Sequence, residues 1–370
     1  MADAEFAVIG GGLVGLAIAW GLASRGRQVT VFDEGDRAFR ASRGNFGLVW
    51  VQSKGVAMPN YARWSRLSAR LWPDFRDELT AATGIDLQLS QPGGLQIYLD
   101  EVEAEAGVAQ LTKLRAALDG DYPFEVLGHN AVKALVPEIG PDVVGATYGP
   151  EDGHVNPLYL LRALTAATKN AGVTLLNGAP VERIEHDRDG FTLHRAGGAY
   201  KADRLVLCAG LSNARLAPMV GLHAPVKPNR GQVLITERVR PFLKYPTGHA
   251  RQVGEGALQL GDSKEDVGFD DGTRGAVAAA IARRATRTFP LLRSVRVVRS
   301  WGALRVMSPD GHPIYDKSLS CPGASLVTCH SGVTLAAAHA KVLAGWICGA
   351  EAPDYMEDFG AERFALQKAG

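Results

Sequence analysis

Three consecutive glycines separate a short apolar run from a helix-patterned segment at the head of this chain, and they constrain the fold more than any other feature. Glu5 to Ile9 reads as a buried strand, broken by Gly10-Gly11-Gly12. Leu13 to Arg25 follows as a helix that stops at Gly26, a residue suited to the position just past a helix end. Gln28 to Asp33 is short and β-branched, a second strand. Strand, helix and strand in this order predict a parallel sheet. Within the turn, Gly10-x-Gly12-x-x-Gly15 has a reason for each glycine: the first permits the turn, the second lets backbone approach a pyrophosphate, and the third lets helix and strand pack closely. Amides near Leu13 and Val14 would point at the phosphates, aided by the helix dipole. Asp33 ends the second strand, where a carboxylate accepts hydrogen bonds from ribose hydroxyls. The motif by itself does not choose between NAD and FAD.

Composition narrows the rest. The chain has 370 residues, enough for two lobes with ample core. Forty basic residues against 39 acidic ones give a net charge of +1, which argues against nucleic acid or an anionic membrane as main partner. A hydrophobic content of 46% excludes general disorder. Phe6 to Ser24 carries no charge over nearly the length of a membrane span, but its five glycines fit a strand–turn–helix better, so no membrane span is expected. The four cysteines form no C-x-x-C pair, and the histidines show no metal spacing, so no metal is expected. Reduced thiols and a start without a basic leader predict a cytoplasmic protein.

Further along, helices are expected over Tyr61–Thr83, Asp100–Leu118, Leu158–Ala171, Ala276–Phe289 and Gly332–Cys348. Strands are expected over Gly93–Leu99, Val173–Leu176, Val181–His186, Phe191–Arg195 and Arg204–Cys208. Gln232–Thr236, Ala250–Val253 and Ala257–Gly261 suggest an antiparallel sheet.

Several segments separate the cofactors. Arg40 to Trp50 (Arg-Ala-Ser-Arg-Gly-Asn-Phe-Gly-Leu-Val-Trp) follows soon after Asp33. Leu205 to Gly210 lies mid-chain, and Trp301-Gly-Ala-Leu-Arg305, Ser308 to Pro313 and Cys329-His-Ser-Gly-Val-Thr334 come late. Together they make nearly the whole chain resemble the flavin-dependent amino-acid oxidases of the D-amino acid oxidase family. The branch it is most similar to holds glycine, sarcosine and iminodiacetate oxidases and the flavin subunits of opine oxidases and hydroxyproline dehydrogenases.

The resemblance implies an α/β fold: a Rossmann-like FAD-binding domain, discontinuous in sequence (1–85, 148–222 and 298–370), and an antiparallel-sheet substrate domain (86–147 and 223–297). It implies non-covalent FAD, because Cys329 does not fit the sequence through which sarcosine oxidases tether their flavin. Beside Gly10, Gly12 and Gly15, it places Leu13 and Val14 at the pyrophosphate and Asp33 and Glu34 at the ribose. Ala41 and Ser42 precede the flavin, Gly47, Leu48 and Val49 lie beside its ring, and Val181 meets the adenine. The loop His330, Ser331, Gly332, Val333 and Thr334 lies beneath the flavin and opens the last helix. Amides there would stabilise the negative charge that gathers at the N1/C2=O edge on reduction.

The family's substrate arginine matches Arg305, whose planar fork suits a carboxylate; the alternative for it is a structural ion pair. Arg251 stands where glycine oxidase has a tyrosine as second carboxylate partner, and the alternative there is a solvated surface residue. His330 is either a catalytic aid or a structural residue at a loop–helix junction. The implied activity is FAD-dependent oxidation of the C–N bond of a small secondary or primary amino acid, iminodiacetate-like or opine-like, by hydride transfer to flavin N5 and hydrolysis of the imine. The electron acceptor is O2 or another protein, and a homo- or hetero-oligomer is compatible. The rivals are a flavin subunit of a hetero-oligomeric opine or hydroxyproline dehydrogenase, a glycine or sarcosine oxidase, and an NAD-dependent dehydrogenase.

Overall fold

The computed structural model describes residues 2–35, 41–261 and 263–364. Ala4–Ile9 is the central strand of the largest sheet, buried at every position but Glu5. Across this sheet run Ile314–Lys317, Ala324–Thr328, Gly198–Leu207, Ala4–Ile9, Val29–Asp33 and Thr174–Asn177. All neighbours are parallel except the edge strand Ile314–Lys317, which pairs antiparallel. The sheet thus brings residues from the start, middle and late part of the chain to one edge.

The strand expected over Arg204–Cys208 is much longer. Gly198–Leu207 pairs with Gly190–Arg195 through its first half and joins the parallel sheet through its second. The first half alternates exposed and buried positions only weakly, which is why its sequence pattern says little.

The first helix, Leu13–Ala23, packs on this sheet with Gly21 against the last helical segment. A side chain at Gly21 would come within 2.3 Å of the Ala340 carbonyl oxygen. The uninterrupted helix expected over Gly332–Cys348 is corrected here. Gly332–Leu335 forms turns, Ala336–Ala338 is α-helical, His339–Leu343 is a π-turn, and Ala344–Ile347 is α-helical again. A π-turn frees carbonyls from the regular ladder. Arg25 takes them up, donating to Ala340 O at 3.1 Å and Lys341 O at 2.6 Å.

A four-stranded antiparallel sheet forms a roof, in the order Ala250–Gln252, Ala257–Leu260, Lys227–Arg238, Val297–Met307. A three-stranded sheet, Gly94–Tyr98, Gly145–Gly149 and Glu125–Gly128, joins it through the bridge of Leu95 with Thr247. Two expected boundaries need correction: 147/148 cuts the strand Gly145–Gly149, and 297/298 cuts Val297–Met307, which pairs with Lys227–Arg238 along its length. A sheet cannot be divided along one of its own strands, so both strands go whole with their sheets.

The long helix Pro59–Thr83 buries Trp64, Trp72 and Phe75 completely. It also anchors the C-terminal loop. Ser68 Oγ and Trp72 Nε1 donate to Thr334 O at 2.7 and 3.1 Å, and Tyr61 OH lies 2.7 Å from Ser331 Oγ. Residues 61, 68 and 72 share one helix face by their spacing.

Candidate active site

A cleft of about 460 Å³ opens at the C-terminal edge of the parallel sheet. That edge is where open α/β sheets take their ligands. The glycine turn forms one wall, and its packing leaves no room for side chains. A Cβ on Gly15 would lie 1.8 Å from Gly10 O, and one on Gly10 would lie 2.3 Å from Cys208 O. Gly10 also has φ of 111°, which suits glycine alone.

Of the expected cofactor residues, Gly10, Gly12, Leu13, Val14, Asp33, Glu34, Ala41, Ser42, Val181, His330 and Gly332 line this one cleft. Gly15 packs directly behind it. Gly47, Leu48, Val49, Ser331, Val333 and Thr334 do not line it; they form a second layer. There Leu48–Val49 pairs with Gly153–His154, Trp50 N donates to Thr334 Oγ1 at 3.2 Å, and that hydroxyl donates to Leu48 O at 3.2 Å. Arg40, which begins the segment quoted above, lies outside the described residues.

Asp33 accepts from Gly11 N at 2.7 Å and Gly35 N at 2.9 Å, which fixes the carboxylate at the rim. Each oxygen keeps lone-pair capacity for a hydroxyl. Ser42 Oγ accepts from Leu13 N at 2.9 Å. The helix itself has no capping side chain at Gly12, so its next amides remain for an anion. A glycine turn under an uncapped helix end, a rim carboxylate and an apolar flank at Val181 suit a dinucleotide of pyrophosphate, ribose and adenine.

Arg305 stems from the roof. Opposed residues share a sheet face, and the register Asn229–Arg305, Val233–Trp301, Ile235–Gln259 and Gln259–Arg251 puts Arg305, Trp301 and Arg251 on the same one. That face looks down on residues 44–46, because Trp301 Nε1 donates to Gly44 O and Gln259 Nε2 to Asn45 O, both at 3.2 Å. The Arg305 guanidinium lies across Gly231, where a Cβ would come within 2.5 Å of it. It donates to Ser263 O at 2.7 Å and Asn229 Oδ1 at 3.3 Å. Its neighbours Leu304 and Val306, on the opposite face of the strand, line the cleft, and Arg305 itself does not.

Arg251 is 3% exposed, which removes the solvated surface reading. It donates to Phe46 O and to Gln259 Oε1 at 2.5 Å, and approaches His154 Nδ1 at 3.4 Å. Among the described residues it forms no ion pair. Burial pulls Arg251 down to about 9, so it stays a cation at neutral pH.

His330 is pushed down to about 3 by burial and by the charges of Lys54 and Arg305, so it is neutral at pH 7. Lys54 donates to Ser331 Oγ at 2.7 Å. Lys54, Tyr61, Asp152, His154 and Gln259 are not among the residues expected here. No local motif marks them; only Asn45, Gln52 and the two glycines of residues 44–52 hint at a backbone that needs partners.

The family profile of FAD-dependent oxidoreductases, designated DAO, matches residues 5–346. The chain belongs to this family. It is an FAD-dependent oxidoreductase of the amino-acid oxidase type, which removes the NAD reading. It is 45% identical over its full length, and the full length of the relative, to an opine oxidase subunit of Agrobacterium tumefaciens (strain Ach5). The crystal structure of glycine oxidase from Geobacillus kaustophilus superposes with a TM-score of 0.88 at 26% identity, covering 96% of this chain and 98% of that one. Iminodiacetate oxidase from Chelativorans sp. shares the fold, with a TM-score of 0.84 at 20% identity over 96% of this chain and 98% of that one. Among the described residues no helix is long and apolar enough to cross a membrane, and no group of three or more His, Cys, Asp or Glu is placed to hold a metal.

Proposed function

We propose that the enzyme oxidises the C–N bond of a secondary amino acid of the opine or iminodiacetate type, one that carries a carboxylate on each carbon arm of the nitrogen. The observation that carries this reading is the position of Arg305, on the roof face that it shares with Arg251 above residues 44–46. Its fork binds one carboxylate, which orients the α C–H toward the floor of the cleft. Bound FAD supplies the hydride acceptor. The first-turn amides of Leu13–Ala23 and the Asp33 carboxylate would hold its pyrophosphate and ribose non-covalently, with Val181 at the adenine. Residues 47–49 and 330–334 would shape the ring's surroundings.

Arg251 is the proposed partner of the second carboxylate. A buried cation with no ion pair is costly to keep, and a substrate anion would offset that cost. Neutral His330 would add no competing charge there. Two features support the opine class: the double arginine on one face, and the resemblance to subunits of opine oxidase. The same resemblance supports a place in a hetero-oligomer, and the order of the motifs supports two interleaved lobes. A cytoplasmic setting fits these relations.

The test is anaerobic bleaching of the flavin by a panel of opines, iminodiacetate, proline, sarcosine and glycine. Bleaching by the dicarboxylates at the lowest concentrations is the expected result. Preference for glycine or sarcosine would replace the reading with a simple amine oxidase. Gel filtration of the chain expressed alone, with its flavin content, tests the need for a partner.

A further inference from the structure

Asp152 is fully buried, and the reading above gives it no part. Every group bonded to its carboxylate is a donor. Val51 N lies at 2.5 Å and Gln52 N at 3.3 Å from Oδ1, and Gln52 Nε2 lies at 2.7 Å from Oδ2. Among the described residues no cation pairs with it. Its charged neighbour Glu151 is bound by Arg66 and Arg70, and the phenols of Tyr122 and Tyr148 face it with their own ionisation pushed up. An all-donor shell calls for an ionised acid.

Residues 152–155 follow residues 47–52 step by step. Asp152 holds Val51 and Gln52, Gly153 and His154 pair with Val49 and Leu48, and Val155 N donates to Gly47 O at 2.8 Å. His154 also meets Arg251, which in turn holds Phe46 O. On the other side Thr334 bonds Trp50 and Leu48.

We propose that Asp152 is a positioning residue, whose ionised carboxylate fixes the Gly47–Gln52 segment against the C-terminal loop and thereby sets the surface presented to the flavin. This rests on the reading that residues 47–49 flank the ring. A proton on Asp152 finds no acceptor in the observed shell. It gains one only if the Gln52 amide turns over, putting Oε1 toward Asp152. Gln52 Nε2 then leaves Gly94 O, now at 3.0 Å, and faces Thr147 Oγ1, which at present donates to Gln52 Oε1 at 2.8 Å. The ionised and protonated forms therefore hold Gln52 in opposite orientations. Burial raises Asp152 to about 7, so the exchange falls near neutral pH.

The test compares holoenzymes: wild type, Asp152→Asn, and Asp152→Asn with Gln52→Glu. The asparagine amide faces the Gln52 amide donor to donor and enforces the turned-over form. In Asp152→Asn the rate of flavin bleaching by the best panel substrate should fall roughly tenfold to a hundredfold, with the half-saturating concentration little changed. Wild type should lose rate as pH drops below about 7, and Asp152→Asn should lack that limb. The double variant returns a carboxylate to the pair and should recover most of the rate. A rate and a pH limb in Asp152→Asn equal to wild type would overturn the proposal. Should that variant not fold, the flavin absorption of wild type against pH decides: one inflection near pH 7 supports the assignment and a flat titration overturns it. If no amine bleaches wild type, the functional reading fails, while the spectral titration still judges Asp152.

Discussion

The two ends of the cleft are built by different means. At the glycine turn the architecture is local: Gly10 to Asp33 supplies strand, turn, helix start and rim carboxylate from one stretch of chain. At the roof, Arg305, Arg251 and residues 44–52 come from distant stretches and meet only through strand register and side-chain bonds to backbone carbonyls. A local site fails through backbone collision. A long-range site fails one bond at a time, and the failures should distinguish substrates.

The most severe break is at the local end. Gly15→Ala puts a methyl group into the Gly10 carbonyl oxygen, a rigid backbone atom, so the turn must open. The protein is expected to purify without flavin; a yellow protein with normal FAD content would refute the geometry. At the roof, Arg305→Gln should retain its FAD and lose roughly a hundredfold in kcat/KM on every substrate, since one charge-assisted bond is worth about 1.5–3 kcal/mol. Steady-state kinetics beside flavin content would separate it from the first variant.

Arg251→Tyr sharpens the comparison within the roof. Dicarboxylates should lose roughly tenfold to a hundredfold in kcat/KM, and monocarboxylates much less. Parallel kinetics on iminodiacetate and sarcosine would measure the difference, and equal losses would reduce Arg251 to a brace for Phe46.

Acid should loosen the long-range end too. His154, His330 and His339 are each held near 3 by burial, while unfolded histidine titrates near 6.5. Between those values the unfolded chain binds more protons, so stability rises with pH and is lost as pH falls below about 6.5. Asp152 acts oppositely over about pH 4 to 7, because its folded value is the raised one. His312 is lowered by burial as well, so the depressed histidines outnumber Asp152 and predict a net fall, seen as a declining Tm from pH 6.5 to 4; a constant Tm would contradict it. The smallest effect is expected from Thr334→Val, which removes two bonds of 3.2 Å at a cost of about 1–2 kcal/mol. Its Tm should drop by a few degrees.

The same division governs what the sequence discloses. Gly10, Gly12, Gly15 and Asp33 are legible because spacing alone fixes their geometry. Arg305 is legible through the resemblance of residues 301–305. The burial of Arg251 is not, since a hairpin arginine looks alike whether it faces Phe46 or water. Asp152 stands in an unremarkable Glu-Asp-Gly turn, and its role depends on Val51 a hundred residues earlier. The strand Val297–Met307 escapes notice because its first four residues, Arg299 among them, are all exposed, so alternation never shows. The π-turn within His339–Leu343 escapes because its cause lies outside it, in Gly21 and Arg25.

The pairing of Ala4–Ile9 with Gly198–Leu207 also has a consequence for biosynthesis. A ribosome adds about 5–20 residues per second. The glycine fingerprint therefore leaves the exit tunnel many seconds before the strand that flanks it exists, and longer still before Arg305 does. During that interval an apolar strand edge is exposed to water and to other chains. Flavin cannot be gripped from both sides until the late segment has been made. Cofactor present once synthesis is nearly complete, rather than earlier, should therefore decide how much of the expressed chain escapes aggregation.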